Sequence, residues 1–261
     1  MPDRKLLPGK FVWFQHVSRD ARKAQEFYGE VLGWKVKPFP MGPVAYEMIL
    51  TGDTWDTMIG GYAASNGDGK PSHWLTTVSV EDVDAAVNAA VANGGKVLDE
   101  PSDLPGVGRG ARIADPQGAE LGLLRDARGD KPDAMAPSGG WLWNELQTSE
   151  PAKALSFYEK VFGFSHRSMD AGPGEKYHIL SRDGVDRGGV TGQLRAGAPP
   201  HWLPYVCVED VDATIVRAVK QGAKIPVGPE DIPGIGRFGV VEDPTGAVLA
   251  IMKPLPREKR S

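Results

Sequence analysis

The chain repeats itself, and this internal duplication limits its possible folds more than any other feature. A shift of 128 positions lays residues 71–125 on 199–253 without a gap, and 26 of the 55 aligned pairs are identical. The longest shared stretch is DLPGVGRGARIADPQGAEL at 103–121 and DIPGIGRFGVVEDPTGAVL at 231–249. Self-similarity over this length indicates two tandem copies of one folded unit.

The similarity continues upstream with a shift of 130, where WFQHVSRDARKAQEFYGEVLGW aligns with WNELQTSEPAKALSFYEKVFGF. We therefore predict a first domain over 9–127, a linker over 128–137 and a second domain over 138–254. The intervening DARGDKPDAMAPSGG is rich in Pro, Gly and charged residues, a composition that suits a linker.

Each copy divides again into two units with the same predicted order of strand, helix and three strands. FVWFQHV is rich in β-branched and aromatic residues, which favours a strand, and the helix after Asp20 ends at Gly33. WLTTVSV is the next predicted first strand, and Asp82 is the predicted N-cap of the second helix. Both helices show apolar residues three and four positions apart. These are Ala24, Phe27, Tyr28, Val31 and Leu32, then Val83, Ala86, Val87, Ala90 and Val91.

The closing motif of each copy is predicted to be a β-hairpin. DPQG and DPTG have Asp first, Pro second and Gly fourth, as a type I turn prefers. The preceding PGVGR and PGIGR neither follow a predicted strand nor open a helix, so a phosphate-binding loop is not expected. We expect Arg109 and Arg237 to pair with a carboxylate such as Asp115 or Asp243, or to touch a ligand at the rim.

The composition favours a globular protein with a small-molecule partner, as a monomer or homodimer. Apolar residues make up 41% and charged residues 25% of the chain, and the formal net charge is -4. The only basic cluster is the terminal PREKRS, so no nucleic-acid partner is expected. No apolar run suits a signal peptide or membrane helix, so we expect no membrane partner and a cytoplasmic location. The single cysteine, Cys207, excludes internal disulfides and is expected to be a structural thiol.

The four predicted βαβββ units, the helix ends FYGEVLGW and FYEKVFGF, and the DPxGA hairpins resemble the vicinal oxygen chelate superfamily. This superfamily includes glyoxalase I, bleomycin-resistance proteins and extradiol dioxygenases. Within it, the pattern is most similar to the tandem-domain glyoxalase-like proteins of bacteria. The resemblance implies an α+β fold in which paired units form a curled mixed sheet, a cup, with the helices outside. It also implies that the cup holds the ligand.

The resemblance further implies where a divalent metal would bind. Superfamily enzymes use His, Gln or Glu on the first and last strands of each unit, and hard or borderline metals need three or four such donors. The aligned positions here carry Trp, Leu, Gly or Ala, so we expect no metal and no other cofactor. They are Trp13, Leu75, Gly60 or Gly61 and Gly122 in the first copy, and Trp143, Leu203, Gly188 or Gly189 and Ala250 in the second.

A register shift of one residue would bring His16, His73 or Glu120 to these positions. We do not favour it, because the shift would turn the apolar residues of each strand to the wrong face. His16 is instead expected to be a hydrogen-bonded core side chain. His73 and His201, in PSHW and PPHW, are expected to make the same structural hydrogen bond in both copies.

Alternation along the first strand of each copy places Trp13 and Gln15 in the first cup and Trp143 and Glu145 in the second. The opening strands of the second units add Leu75, Thr77 and Ser79 to the first cup, and Leu203, Tyr205 and Cys207 to the second. Aromatic pockets with few polar groups are typical of small-molecule sites, although side chains could also fill both cups completely.

The polar side chains of the two cups differ. Glu145 and Tyr205 stand where the first copy has Gln15 and Thr77, so only the second cup pairs a carboxylate with a phenol. Burial against an indole disfavours the charged carboxylate, which makes Glu145 and Tyr205 the candidate catalytic residues, although Glu145 could equally serve in an ion pair. The predicted ligand-binding residues are Trp13, Gln15, Thr77, Trp143, Leu203 and Met252.

We predict a metal-independent protein of the glyoxalase/bleomycin-resistance type that binds a small apolar or aromatic metabolite. Two alternatives remain open. One is a glyoxalase-type lyase or isomerase acting on an α-oxo aldehyde-derived substrate, which needs a metal or a substitute acid or base such as Glu145. The other is a structural or interaction module with filled cups.

Overall fold

A computed structural model describes residues 4–41, 44–65, 69, 71–172, 174–194 and 197–256. Within these residues the chain forms sixteen β-strands, four α-helices and one 3-10 helix, so the fold is α+β. The predicted order of strand, helix and three strands occurs four times. None of the helices in the described ranges is both long enough and apolar enough to span a membrane.

The elements of the first copy are β1 (Phe11–Ser18), α1 (Ala21–Leu32), β2 (Lys35–Met41), β3 (Val44–Leu50), the 3-10 helix (Trp55–Thr57), β4 (Met58–Ala64), β5 (His73–Ser79), α2 (Val83–Ala92), β6 (Lys96–Leu104), β7 (Gly108–Ala114) and β8 (Glu120–Asp126). Those of the second copy are β9 (Trp141–Gln147), α3 (Pro151–Phe162), β10 (Ser165–Gly172), β11 (Glu175–Arg182), β12 (Val185–Thr191), β13 (His201–Cys207), α4 (Val211–Lys220), β14 (Lys224–Ile232), β15 (Gly236–Glu242) and β16 (Val248–Pro254).

The strands form two sheets with the same order in each copy. The orders are β2-β3-β4-β1-β5-β8-β7-β6 and β10-β11-β12-β9-β13-β16-β15-β14. First and last strands of each unit pair in parallel, whereas the remaining neighbours within a unit are antiparallel. The predicted tandem fold of curled mixed sheets with helices outside is therefore confirmed.

Aspartate side chains cap three of the helices, as predicted for Asp82. The side chains of Asp20, Asp82 and Asp210 accept hydrogen bonds from backbone N–H groups in the first turns of α1, α2 and α4. Helix α1 ends at Gly33 with a φ of 71°, a left-handed conformation that favours glycine. Short-range sequence signals thus set where the helices begin and end.

The chain also divides into two compact units, which are larger than the βαβββ units. Each compact unit combines half of one copy with half of the other. The first unit comprises Met1–Trp13, Leu75–Ala134 and Trp143–Leu203, and the second comprises Phe14–Trp74, Met135–Leu142 and Pro204–Ser261. The repeat did not predict this exchange of halves. The domain boundaries 9–127 and 138–254, with the linker 128–137, stay a prediction.

In the first unit, α2 of the first copy packs against α3 of the second. Their apolar faces share one core with strand residues such as Leu123 and Leu146. Inside it, the Tyr158 hydroxyl donates to Asp115 Oδ2 over 3.1 Å and accepts the Trp202 indole N–H over 2.9 Å. The hairpin carboxylate is therefore fixed from within the core.

In the second unit, α1 packs against α4 and the equivalent hydrogen bonds recur. Tyr28 donates to Asp243 Oδ2 over 2.9 Å and accepts the indole N–H of Trp74. A histidine is added here, because His16 Nε2 lies 2.8 Å from the same Asp243 oxygen. His16 is fully buried, so its predicted place as a hydrogen-bonded core residue is confirmed.

The two loop arginines pair with carboxylates as expected, but the suggested partners Asp115 and Asp243 are wrong. Arg109 binds Asp84 and Asp103, and Arg237 binds Asp212 and Asp231. Asp115 and Asp243 hydrogen bond to buried tyrosines. Each arginine instead pairs with one exposed carboxylate at the start of a helix, Asp84 or Asp212, and with one on a strand, Asp103 of β6 or Asp231 of β14. Sequence proximity suggested the pairing, but each arginine lies at the start of β7 or β15 and each aspartate just beyond the end of the same strand.

His16 contacts the hairpin carboxylate of the second compact unit, Asp243, but the described residues of the first compact unit include no equivalent histidine beside Asp115. We therefore predict that the contributions of Asp243 and Asp115 to stability depend on pH in opposite directions. Burial acts to raise the pKa of Asp243, but His16 and Thr245 overcome this and lower it. Burial raises the pKa of Asp115, only partly offset by its donors. A lowered pKa contributes stability that is lost as pH falls through it, whereas a raised pKa contributes stability that is lost as pH rises through it.

We expect His16→Leu, which copies the Leu146 of the second copy, to turn Asp243 into a carboxyl of the Asp115 type. The stability deficit of the variant should be largest at neutral pH and should shrink as pH falls through about 4, where an unperturbed Asp titrates. Urea unfolding between about pH 5 and pH 3, below the range of a free histidine, measures it. A deficit that stays constant over this range would contradict the prediction.

Candidate functional site

Strand β9 presents alternate side chains to two different surroundings. Asn144 and Leu146 are buried, and Leu146 belongs to the core of the first unit. Trp143, Glu145 and Gln147 alternate with them and so share the other face. This face is the predicted ligand side of the second copy.

Glu145 is the carboxylate on this face, and it is only 8% exposed. Gln147 Nε2 donates to Glu145 Oε1 over 3.0 Å. The Tyr177 hydroxyl, which comes from β11, is also hydrogen bonded to the Glu145 carboxylate. A buried carboxylate is stable only where donors replace its lost water, and these two side chains supply them.

Tyr177 is in turn held by Trp143, whose Nε1–H donates to the Tyr177 oxygen over 2.8 Å. Burial, and then the charge of Glu145, raise the pKa of Tyr177 well above its usual range. The hydroxyl therefore stays protonated and acts as a donor. Trp143, Tyr177, Glu145 and Gln147 form one hydrogen-bonded chain, which we call the Glu145 cluster.

Strand β12 leaves room for this tyrosine. Gly189 pairs with Glu145 in the parallel register of β9 and β12. A Cβ atom at Gly189 would overlap the ring and hydroxyl of Tyr177. The phenol therefore occupies the volume into which a side chain at this last-strand position would project.

The first copy has the same arrangement without the carboxylate. Gln15 pairs with Gly61, and a Cβ atom at Gly61 would overlap the ring of Tyr46. Tyr46 thus corresponds to Tyr177, and Gln15 to Glu145. The same fold therefore forms with the neutral amide of Gln15 in the first copy and with the buried carboxylate of Glu145 in the second.

The other predicted site residues lie in various surroundings. Trp13 and Thr77 are half-buried, and Thr77 fills the space above Gly122. Leu203 and Met252 are buried in the first and second units. Tyr205 is 5% exposed and stacks on Phe238 in the second unit, whereas Glu145 belongs to the first. The roles assigned to these residues stay predictions.

Tyr177 is the functional candidate that sequence reasoning missed. It lies on the middle strand of a unit, a position for which the resemblance implies no ligand. The available signal was the pair Gly188–Gly189, because a glycine that faces a pocket often marks a place where another group comes close. Only the cross-strand register shows which side chain that is.

The positions that the superfamily uses for a metal do not fit one here. None of the side chains at these positions has a donor atom that coordinates a metal. They are Trp13, Leu75, Trp143, Leu203, the aligned glycines and Ala250. Within the described part of the chain, no group of three or more His, Cys, Asp or Glu side chains could hold a metal ion.

The residues that a shifted register would use are engaged elsewhere. His16 binds Asp243, and Glu120 lies 3.4 Å from Arg112. His73 Nδ1 lies 3.0 Å from the Pro71 carbonyl, and His201 makes the same contact with Pro199. The expected repeated histidine contact is thus confirmed.

Cys207 does not resemble an activated nucleophile. It is half-buried, and burial, followed by the charge of Glu209, raises its pKa. A raised pKa lowers the thiolate fraction at neutral pH, which opposes nucleophilic reactivity. The expected structural thiol agrees with these surroundings.

Comparison with known proteins gives one family throughout. The model of the Glyoxalase/Bleomycin resistance protein/Dioxygenase superfamily matches residues 10–123 and 142–251. The chain is 35% identical over 261 residues to the "Putative glyoxylase CFP32" of Mycobacterium tuberculosis, covering 99% of this chain and 100% of that protein. It is 27% identical over 280 residues to the "Anthracycline biosynthesis protein DnrV" of Streptomyces peucetius, covering 95% and 94%.

Solved structures show the same fold. The Mn(II)-bound glyoxalase from Novosphingobium aromaticivorans superposes with a TM-score of 0.65 at 20% identity, covering 94% of this chain and 82% of that one. The paired βαβββ units, the two mixed sheets and the family model agree with one another. The chain therefore belongs to the glyoxalase/bleomycin resistance protein/dioxygenase superfamily.

Proposed function

We propose that this protein binds a small apolar or aromatic metabolite without a metal, at the face of the second copy that carries the Glu145 cluster. One observation carries the proposal. Glu145 is buried in the second copy, but Gln15 stands at the same place in the first. Burying a charged carboxylate costs free energy. The first copy forms the same fold with an amide at this position, so a function in binding best explains the buried carboxylate of Glu145.

The cluster supports a ligand of a particular kind. Trp143 offers an indole surface, and the Glu145 carboxylate accepts hydrogen bonds inside a largely apolar setting. The ligand therefore carries an apolar or aromatic body and a hydrogen-bond donor such as a hydroxyl or amine. The name of one relative, an anthracycline biosynthesis protein, supports a small-molecule metabolite as the ligand.

A second candidate function is a glyoxalase-type isomerase or lyase acting on an α-oxo aldehyde-derived substrate. It is favoured by the contact between Glu145 and the protonated Tyr177, and by the name of the mycobacterial relative. Glu145 would take the proton from the hydroxyl-bearing carbon beside a carbonyl and return it to the former carbonyl carbon, while the hydroxyl proton passes to the former carbonyl oxygen. Trp143 would hold the phenol of Tyr177 and Gln147 the acid.

The proposal extends to the setting in which the protein works. We place it in the cytoplasm as a monomer or homodimer, with no nucleic-acid or membrane partner. A single cysteine suits a reducing compartment, and a formal net charge of -4 does not favour binding to nucleic acid.

We expect Glu145→Gln to weaken ligand binding roughly tenfold to a hundredfold, because a hydrogen bond to a charged group contributes about 1.5 to 3 kcal/mol. A thermal-shift screen against aromatic hydroxy and amino compounds identifies the ligand, and calorimetry then measures both affinities. Gln15→Glu is the matched control in the first copy and should leave this affinity unchanged.

Three outcomes separate the alternatives. If Glu145→Gln binds the metabolite with unchanged affinity, Glu145 has a structural role and does not contact the ligand. Turnover of a methylglyoxal–thiol adduct that is lost in the same variant would support the isomerase, and metal analysis would show whether it depends on a metal. A chain to which no compound binds would favour the structural module with filled cups.

A further inference from the structure

Two histidines lie side by side on neighbouring strands of the second copy. His166 is on β10 and His178 is on β11, and their ring centroids are 6.0 Å apart with an interplanar angle of 77°. With metal–nitrogen bonds of about 2.0–2.1 Å, two imidazoles that hold one ion have centroids about 5 to 6.5 Å apart. Small side-chain rotations would therefore let both rings bind the same metal ion.

The pair lies on the face of the sheet opposite to the one that carries Tyr177. His178 directly follows Tyr177 in β11, and consecutive residues of a strand point to opposite faces. His178 pairs with Val190 of β12 and His166 pairs with Leu180 of β11, and both partners belong to the core of the first unit. The two histidines thus share the face that packs against α3, outside the cup in which the family holds its ligand.

Both rings are accessible to a hydrated ion. Strand β10 is the edge strand of its sheet, and all eight of its residues, His166 among them, are exposed. His178 is half-buried, and its Nδ1 lies 2.8 Å from Ser168 Oγ on the opposite strand. A hydrogen bond at one ring nitrogen orients a metal-binding imidazole and determines which nitrogen carries the lone pair. The contact with Ser168 leaves Nε2 as the coordinating nitrogen of His178.

The charges around the pair are compatible with a bound cation. Burial lowers the pKa of His178, and the charges of His166 and Lys176 lower it further, so this ring is neutral at pH 7. Neutral imidazole is the form that binds metals. The Lys176 ammonium donates to the Asp170 carboxylate over 2.5 Å, and this ion pair reduces the repulsion between the lysine and a bound cation.

The fold does not need either histidine. Val36 and Glu47 stand at these places in the first copy, since Val36 pairs with Ile49 as His166 pairs with Leu180. The strand pair β2–β3 therefore forms in the same register without imidazole side chains. A role in binding explains the two histidines better than a role in folding.

We propose that His166 and His178 form a two-imidazole site for one divalent transition-metal ion, with water in its remaining coordination positions. Imidazole nitrogen suits Cu²⁺, Ni²⁺ and Zn²⁺, whereas Mg²⁺ and Ca²⁺ prefer oxygen ligands. Within the described ranges, no third His, Cys, Asp or Glu side chain completes a ligand group, so water completes the shell. The site is separate from the metal position of the family and from the Glu145 cluster, and metabolite binding does not depend on it.

The test titrates nickel chloride into the tag-free full-length chain at neutral pH and follows binding by calorimetry. We expect one Ni²⁺ per chain. His166→Val and His178→Ala should each weaken binding roughly a hundredfold, because a second ligand on the same chain acts at high effective concentration. Ser168→Ala should weaken it about tenfold, since this hydroxyl orients His178. Electron paramagnetic resonance of the Cu²⁺ complex should show two nitrogen ligands in the wild type and one in either histidine variant.

His201→Ala is the matched control, because it removes a histidine on β13 of the same copy and should leave Ni²⁺ affinity unchanged. His166→Val copies the Val36 of the first copy, and thermal melts check that each variant is folded. Failure of Ni²⁺ to bind the wild-type chain would overturn the proposal. So would unchanged affinity in the two site variants, or an equal loss in His201→Ala. None of these outcomes depends on whether Glu145 binds a metabolite.

Discussion

Replacing Asp243 by alanine is expected to lower the free energy of unfolding by about 3 to 5 kcal/mol, because it leaves buried partners without their common acceptor. Asp243 Oδ2 accepts from the Tyr28 hydroxyl and contacts His16 Nε2, both inside the second unit. Its other oxygen accepts backbone N–H groups of the hairpin at Thr245, Gly246 and Ala247. One carboxylate thus joins a strand and a helix of the first copy to a hairpin of the second.

Asp115→Ala is the matched control for this prediction. Asp115 accepts from Tyr158 and from hairpin N–H groups in the same way, but Leu146 stands where His16 would contact it. Removing it breaks no histidine pair, so the loss of stability should be smaller than for Asp243→Ala. Urea unfolding of both variants at neutral pH measures the difference. Equal losses would mean that the histidine contributes nothing to the network.

Much of this fold follows from local sequence patterns. The apolar stripes of α1 and α2, the capping residues Asp20 and Asp82 and the DPxG turns each depend on residues a few positions apart. The prediction that Val91 belongs to the stripe of α2 is wrong, because its side chain is 52% exposed. Such signals act within one element, so a single sequence displays them. The duplication then repeats them, which is why all four βαβββ units could be predicted.

The pairing of the halves could not be predicted in the same way. Helix α2 packs against α3 of the other copy, and α1 packs against α4. The apolar stripe of a helix shows that one face is buried but does not specify the partner. The inward turn of Asp115 and Asp243 toward tyrosines depends on this exchange, so the predicted arginine partners were wrong.

The candidate site was predictable only in part. Alternation on β9 correctly places Trp143 and Glu145 on one face, since this periodicity is a property of the strand itself. The phenol that binds Glu145 is Tyr177, which lies on β11, and β12 separates the two strands. Cross-strand register depends on bulges and turn lengths, and β11 pairs with β12 through a bulge between Leu180 and Ser181.

Replacing Gly189 by alanine is expected to abolish ligand binding at the Glu145 cluster and to reduce stability by about 1 to 3 kcal/mol. The new methyl group would overlap the ring and hydroxyl of Tyr177, so the phenol must leave its place. Its departure breaks the bond from Trp143 and removes one donor from Glu145. The carboxylate would then be partly unsatisfied and its indole neighbour unanchored. Calorimetry with the identified metabolite, together with thermal melts, measures both effects.

Gly61→Ala makes the same change in the first copy and is the matched control. The methyl group would displace the ring of Tyr46 from its place over Gly61, while leaving Tyr177 and Glu145 untouched. Metabolite affinity at the Glu145 cluster should therefore persist in Gly61→Ala. Tyr177→Phe adds a milder test, because it keeps the ring over Gly189 but removes the hydroxyl that bonds to Glu145. If Gly189→Ala binds the metabolite as the wild type does, Tyr177 has no part in the site, and the carboxylate must be supported by other groups.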